Sequence, residues 1–188
     1  MDMRARTGLS AVVIEQEGDV DGPGARFEAL FEAHHAAVLA YARRRAPDDI
    51  AADVASGTFE VLWRRIEDLP DDLRPWLYGV ARGLLANRRR GDARRVRLVD
   101  RLSRRSGPAS PGLSPDAADA ALDGTAARAA LARLRPEDRE LLMLVAWEGL
   151  AAHQAASVLG ITESTFAVRL HRARRRLEDQ LRSTRGSR

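Results

Sequence analysis

Residues 158–177 read VLGITESTFAVRLHRARRRL. Just upstream stands Ala156, small enough to let two helices approach, and Gly160 follows four residues later where a tight turn needs it. Thr162 is a residue type that caps helix N-termini. Beyond it Phe166, Leu170, Ala173, Leu177 and Leu181 recur at helical spacing and predict an inward face from about Glu163 to Leu181. This is the pattern of a helix-turn-helix. On a 100° wheel the opposite face carries Ser164, Thr165, Val168, His171, Arg172 and Arg175, with Arg169 at its flank. Such side chains can enter a major groove: Arg172 can pair a guanine in bidentate fashion, and the others suit phosphates or a thymine methyl. The blander reading is a helical hairpin whose basic face is simply solvated.

Working upstream, short helical segments are predicted at about 151–159, 136–147 and 117–134, and no strand-turn-strand alternation occurs anywhere. Residues 103–116, SRRSGPASPGLSPD, hold three prolines and two glycines without a periodic apolar residue, which predicts a flexible linker. In the front half Phe27, Leu30, Phe31, His34, Val38 and Tyr41 form the stripe of an amphipathic helix that ends before Pro47. A second helix is expected from Asp48 or Asp49, acids suited to a helix N-terminus, to about Ile66. A loop from Glu67 to Arg74 follows, and Pro75 opens a third helix through Arg90 toward Arg101. Gly18, Gly22, Pro23 and Gly24 break the polar leading segment. The expectation is an all-α protein of two small helical domains joined by a flexible linker, the C-terminal one a helix-turn-helix: a disordered tail over 1–25, domains over 26–102 and 117–183, and the linker over 103–116.

Charge is segregated. All 31 basic residues are arginine, and 27 acids leave a net charge of +4. Arg82 to Arg105 carries ten arginines against Asp92 and Asp100, a net +8; Ser164 to Arg188 carries eight against Glu178 and Asp179, a net +6. The rest is acidic. Two basic blocks on an acidic body read as two contacts with a polyanion.

In the third helix Trp76, Gly79, Gly83, Asn87 and Arg90 share one face, and Leu77, Val80, Ala81 and Leu84 the other. An aromatic, two glycines that permit close approach, an amide and then Arg88, Arg89 and Arg90 suit a single strand with stacked bases. Trp76 serves equally well as a core anchor. The chain has no cysteine, so disulfides, thiolate metal sites and cysteine nucleophiles are excluded. Glu32 and His35 form an isolated E-x-x-H, a spacing used by helical metal enzymes, without the second copy and extra glutamates such a site requires. No G-x-S-x-G, Walker loop or H-E-x-x-H occurs, so neither a catalytic residue nor a cofactor is expected. No apolar run in the first 21 residues suffices for a signal sequence or a membrane anchor, and the protein is expected in the cytoplasm.

At four stretches the chain becomes specific: DVASGTFEVLWRRI (53–66), PWLYGVARGLLANRRR (75–90), LRPEDRELLMLVAWEGL (134–150) and the segment quoted first. Together, in that order and with a linker between the halves, they resemble an RNA polymerase sigma factor of the sigma-70 family, in particular the compact extracytoplasmic-function (ECF) group with regions 2 and 4 only. The resemblance implies a non-catalytic specificity subunit that binds core RNA polymerase, through the β′ clamp helices and the β flap, and directs promoter recognition and DNA opening. It implies core binding through Asp53, Thr58, Phe59 and Trp63. The minus 10 element would meet Trp76, Arg82, Asn87, Arg88, Arg89 and Arg90, and the minus 35 element the 164–175 face including Arg169. Members of the group are commonly held inactive by an anti-sigma factor, which makes one a further candidate partner. Members usually carry Gln and an acidic residue where this chain has Ser56 and Gly57, an Asn where it has Gly83, and a basic residue and a small hydroxyl where it has Ala167 and Val168. The rival readings are a helix-turn-helix regulator that works without polymerase and, more remotely, a helical metal-binding enzyme.

Overall fold

The computed structural model describes residues 22–103 and 125–186, and it is helical throughout, with no strand among them. Seven helices follow in order: α1 (Pro23–Arg43), α2 (Asp48–Arg64), α3 (Leu73–Ser103), α4 (Thr125–Arg133), α5 (Pro136–Ala146), α6 (Ala152–Leu159) and α7 (Glu163–Gly186). The tail expected over 1–21 and most of the linker expected over 103–116, with the start of the next helix, lie outside the described residues.

Helices α1, α2 and α3 pack on one another as the front unit. Tyr41, Val38, Leu62, Leu77 and Tyr78 are essentially inaccessible to solvent there. At about 1.5 to 3 kcal/mol for each large apolar side chain withdrawn from water, such residues dominate the unit's stability. Gly57 has a packing role: a Cβ built on it would lie 3.2 Å from Leu84 Cδ1, so its bare backbone lets α3 settle closely on α2. In the rear unit α7 packs against α4, α5 and α6. Leu144, Ala155, Phe166 and Ala173 are buried at its centre.

Three differences from the sequence reading have physical causes. Helix α1 begins at Pro23, because proline at a first helical position forgoes only an N–H that has no intrahelical partner. Pro23 and Gly24 therefore start the helix, where breakers and a tail had been expected. Ser103, expected to open the linker, is instead the last residue of α3. The inner face of α3 is formed by Leu77, Tyr78, Ala81 and Leu85, while Val80 and Leu84 are only half-buried.

The two units also meet. The first helix of the helix-turn-helix, α6, packs on α3, and Gln154 Nε2 donates to Asp72 Oδ2 at 2.8 Å across the seam.

Candidate nucleic-acid interface and docking faces

The helix-turn-helix is built by its turn. Gly160 adopts φ 65° and ψ 36°, a left-handed conformation that favours glycine. Its N–H donates to the Ser157 carbonyl at 3.1 Å, and that of Ile161 to the Ala156 carbonyl at 3.1 Å, closing α6 with the paired bonds of a Schellman motif. Thr162 then caps α7, its Oγ1 accepting the Thr165 N–H at 3.2 Å. Phe166, Leu170 and Ala173 turn inward, and Val168, Arg169, His171, Arg172 and Arg175 turn outward. Val168, an apolar side chain, is 52% exposed. Arg169, Arg172 and Arg175 make no ion pair among the described residues.

Two of the expected readers also take part in the cap. The hydroxyls of Thr165 and Ser164 lie 2.8 and 3.1 Å from Thr162 Oγ1, within the cap itself. Sequence reasoning also missed the fixing of α7: Arg176 Nη1 meets the nearly buried Asp138 Oδ2 at 2.6 Å, joining α7 to the first turn of α5. Arg139 donates to the carbonyls of Leu131 and Ala132, at 3.0 and 2.7 Å, and so closes the end of α4.

On α3 the expected single-strand face is divided. Arg82, Asn87, Arg88, Arg89 and Arg90 are exposed. Three of these arginines are already engaged: Arg88 Nη1 pairs with Asp53 Oδ2 at 2.8 Å, Arg89 Nη2 donates to the Arg45 carbonyl at 3.0 Å, and Arg90 Nη2 donates to Asn87 Oδ1. Trp76 stands apart from them, half-buried against the core, and lines a cleft of about 540 Å³ together with Pro70, Asp72 and Gly79 on one side and His153, Gln154 and Ser157 of α6 on the other.

On α2 two of the residues expected to bind core polymerase are buried. Thr58 is fully buried and donates through Oγ1 to the Val54 carbonyl at 2.7 Å. Phe59 is buried too, edge-on to Phe31 at 4.8 Å. Both face the core because they follow Val54 and Ala55 by one helical turn, so neither side chain lies on the outer face of α2. Asp53 and Trp63 do face outward, and between them the same spacing places Ser56 and Glu60, which the sequence reading left out. Trp63 is 47% exposed and edge-on to Phe27 at 5.3 Å. Phe31, also partly exposed, stacks on His35 at 4.5 Å. No cluster of three or more metal-ligating side chains occurs among the described residues.

Beneath these faces the seam between the units holds the strongest electrostatics. Glu148, two residues beyond the end of α5, is 1% exposed. Arg44 Nη2 donates to its Oε2 at 2.5 Å, Arg45 Nη1 to its Oε1 at 2.9 Å, and Arg74 Nη2 to its carbonyl at 2.6 Å. Arg45 Nε also meets Glu140 at 2.9 Å, and the Arg45 guanidinium lies over the Tyr41 ring, 3.6 Å from its centre. Tyr41 in turn stacks on Tyr78 at 4.8 Å and donates to Glu140 at 3.2 Å. Burial pushes the Tyr41 phenol well above its ordinary range, with Arg45 opposing the shift and Glu140 and Glu148 adding to it. For Arg45 burial works against the charge, but Tyr41, Glu140 and Glu148 outweigh it and hold the guanidinium protonated. His34 is lowered from 6.5 by burial and by Arg74.

Comparison with known proteins gives concordant results. The family model Sigma-70 region 2 matches residues 30–95, and Sigma-70 region 4 matches residues 125–177. The ECF RNA polymerase sigma factor SigL of Mycobacterium tuberculosis is 35% identical over 164 residues, 85% of this chain and 91% of that protein. RNA polymerase sigma factor CarQ of Myxococcus xanthus is 30% identical over 165 residues, 86% and 92% of the two chains. Among solved structures, the sigma factor RpoE in complex with the anti-sigma factor NepR, from Bartonella quintana, aligns with a TM-score of 0.62 at 25% identity, covering 83% of this chain and 96% of that one. CnrH in complex with the cytosolic domain of CnrY aligns with a TM-score of 0.56 at 26% identity, covering 84% and 88%. With both regions matched in order and relatives covered over nearly their whole length, the chain belongs to the sigma-70 family of RNA polymerase sigma factors, in its extracytoplasmic-function group.

Proposed function

We propose a division of labour by face for this sigma factor, which directs RNA polymerase in transcription initiation. The outer side of α2, with Asp53, Ser56, Glu60 and Trp63, docks on core polymerase. The arginine-rich length of α3, with Arg82 and Asn87 to Arg90, meets the DNA at the minus 10 element, and Trp76 stacks an unpaired base there. The outer face of α7 reads the minus 35 element, with Arg172 on a base edge, Arg169 and Arg175 on phosphates, and Val168 against a thymine methyl. Region 2 corresponds to 26–102 and region 4 to 117–183. The chain supplies binding and strand separation, and the polymerase makes the bonds; it works in the cytoplasm beside its polymerase. An anti-sigma factor, the partner class of its solved relatives, is a regulator of the same kind here.

The observation that carries this reading is the division of α7: one face is locked in the core, and the other presents Arg169, Arg172 and Arg175 without an ion-pair partner among the described residues. Charges left unpaired on a rigid helix are ready for an anionic partner at little desolvation cost. Run-off transcription with purified core polymerase on a library of promoters tests it. Start sites that appear only when the chain is added support the reading. A shift of duplex DNA by the chain alone, with no effect on transcription by core enzyme, would support the stand-alone regulator instead.

A further inference from the structure

On α7, Arg176 continues the ridge that Arg169 and Arg172 begin. On a 100° wheel its azimuth falls between theirs, about 20° from Arg169 and about 40° from Arg172, and it stands one turn, about 6 Å, beyond Arg172. Arg169 and Arg172 make no ion pair among the described residues, whereas Arg176 Nη1 lies 2.6 Å from Asp138 Oδ2 in the first turn of α5. An arginine on the DNA side of the recognition helix is thus tied to a neighbouring helix.

The pair is lopsided. The Arg176 side chain is 48% exposed and that of Asp138 only 10%, so the guanidinium can reach solvent and the carboxylate cannot follow it. A nearly buried carboxylate keeps its cation firmly, because losing it leaves a charge out of water without a partner. Arg182, by contrast, meets Glu178 and Asp179 of its own helix at 3.7 and 3.9 Å with both acids well exposed, and such contacts yield readily to salt or to a competing anion. Phosphate contacts supply affinity that is the same for every base sequence. With Arg176 tied to α5, one such contact is withheld from a face whose other arginines are free.

We propose that Asp138 is a positioning residue that holds the Arg176 guanidinium back from DNA, so that contacts with bases carry a larger share of the binding of α7. The proposal rests on the reading of α7 as the minus 35 reader, and it adds a residue outside the DNA face that sets how strongly this face holds DNA of any sequence.

The test is the binding of the full chain to a short duplex of mixed sequence, followed over a range of salt concentrations. Asp138→Asn keeps the shape of the side chain and removes its charge. At low salt it is expected to bind about threefold more tightly than wild type or better, and the slope of log affinity against log salt is expected to steepen by about 0.9, the value of one added phosphate contact. Adding Arg176→Gln to it should return both quantities to wild type. Glu137→Gln, which removes an exposed acid from the same turn of α5 and changes the net charge equally, should leave affinity within about twofold, because solvent and salt screen that charge. A merely structural part for Asp138 predicts weaker binding instead. Weaker or unchanged binding by a folded Asp138→Asn protein overturns the proposal, and so does an equal gain with Glu137→Gln. If Asp138→Asn does not fold, Arg176→Gln alone decides: its slope should match wild type, and a slope shallower by about 0.9 means that Arg176 already touches a phosphate and overturns the proposal. If the full chain alone retains no DNA, the same comparisons are made with the polymerase holoenzyme. Selection from a randomised minus 35 library separates the two readings. Asp138→Asn should keep the wild-type base preference, whereas a wild type with no preference counts against α7 as the minus 35 reader, and the salt slopes still decide whether Asp138 restrains Arg176.

Discussion

At the residue scale, α2 shows how neighbours on one helix divide between core and surface. Phe59 and Trp63 are four positions apart and belong to one aromatic group with Phe27 and Phe31, yet Phe59 is 3% exposed and Trp63 is 47% exposed. Phe59→Ala should cost about 3 to 5 kcal/mol, the range for large aromatics removed from a core, and unfold much of the front unit. Trp63→Ala should change the melting temperature little and weaken co-purification with core polymerase. Thermal denaturation beside pull-down separates the two, and a Trp63→Ala protein that binds core polymerase normally would remove α2 from the docking face. On α7 the sequence placed Arg172 correctly on the outside but could not show that Ser164 and Thr165 serve the Thr162 cap. Arg172→Ala should relax preference at one minus 35 base pair, at about 1 to 3 kcal/mol of discrimination, whereas Arg169→Ala should weaken all sequences alike and shallow the salt dependence. Selection from a randomised minus 35 library at two salt concentrations checks both.

At the element scale, helix identity was legible because periodicity and caps are local. The stripe of α1, the Asp48 and Asp49 start of α2, and the Gly160 and Thr162 turn all stand where the pattern put them. The meaning of Gly57 was not legible, since it depends on Leu84 of another helix. Read alone, a mid-helix glycine forfeits about 1 kcal/mol of helix propensity. Against α3, a methyl at that position would sit 3.2 Å from Leu84 Cδ1, and half-buried Leu84 must give way by a few tenths of an ångström. Gain and strain oppose each other, so Gly57→Ala should shift stability by less than about 1 kcal/mol. Gly160→Ala has no such offset: nothing crowds the site, but φ of 65° strains any L side chain, and a loss of about 1 to 2 kcal/mol is expected. Chemical denaturation of the two variants side by side gives the comparison. A larger loss for Gly57→Ala than for Gly160→Ala would mean that Leu84 cannot move.

At the scale of the whole molecule, the two-unit helical plan could be read from the sequence and its closure could not. Proline and glycine between 103 and 116 announce a break in the chain, but nothing in local spacing announces that Glu148 meets Arg44 and Arg45 more than a hundred residues away. Glu148 reads locally as a surface acid at the end of a helix. Its burial is a property of the assembled pair of units. Removing that carboxylate tests the seam: Glu148→Gln takes the buried acid away from the guanidinium groups of Arg44 and Arg45 and should destabilise the full chain by about 3 kcal/mol, whereas Glu60→Gln, which removes the acid of an exposed pair with Arg64, should shift it by less than about 1 kcal/mol. Chemical denaturation of the two variants gives the comparison, and equal losses would mean that the buried arginines find water as good a partner as Glu148.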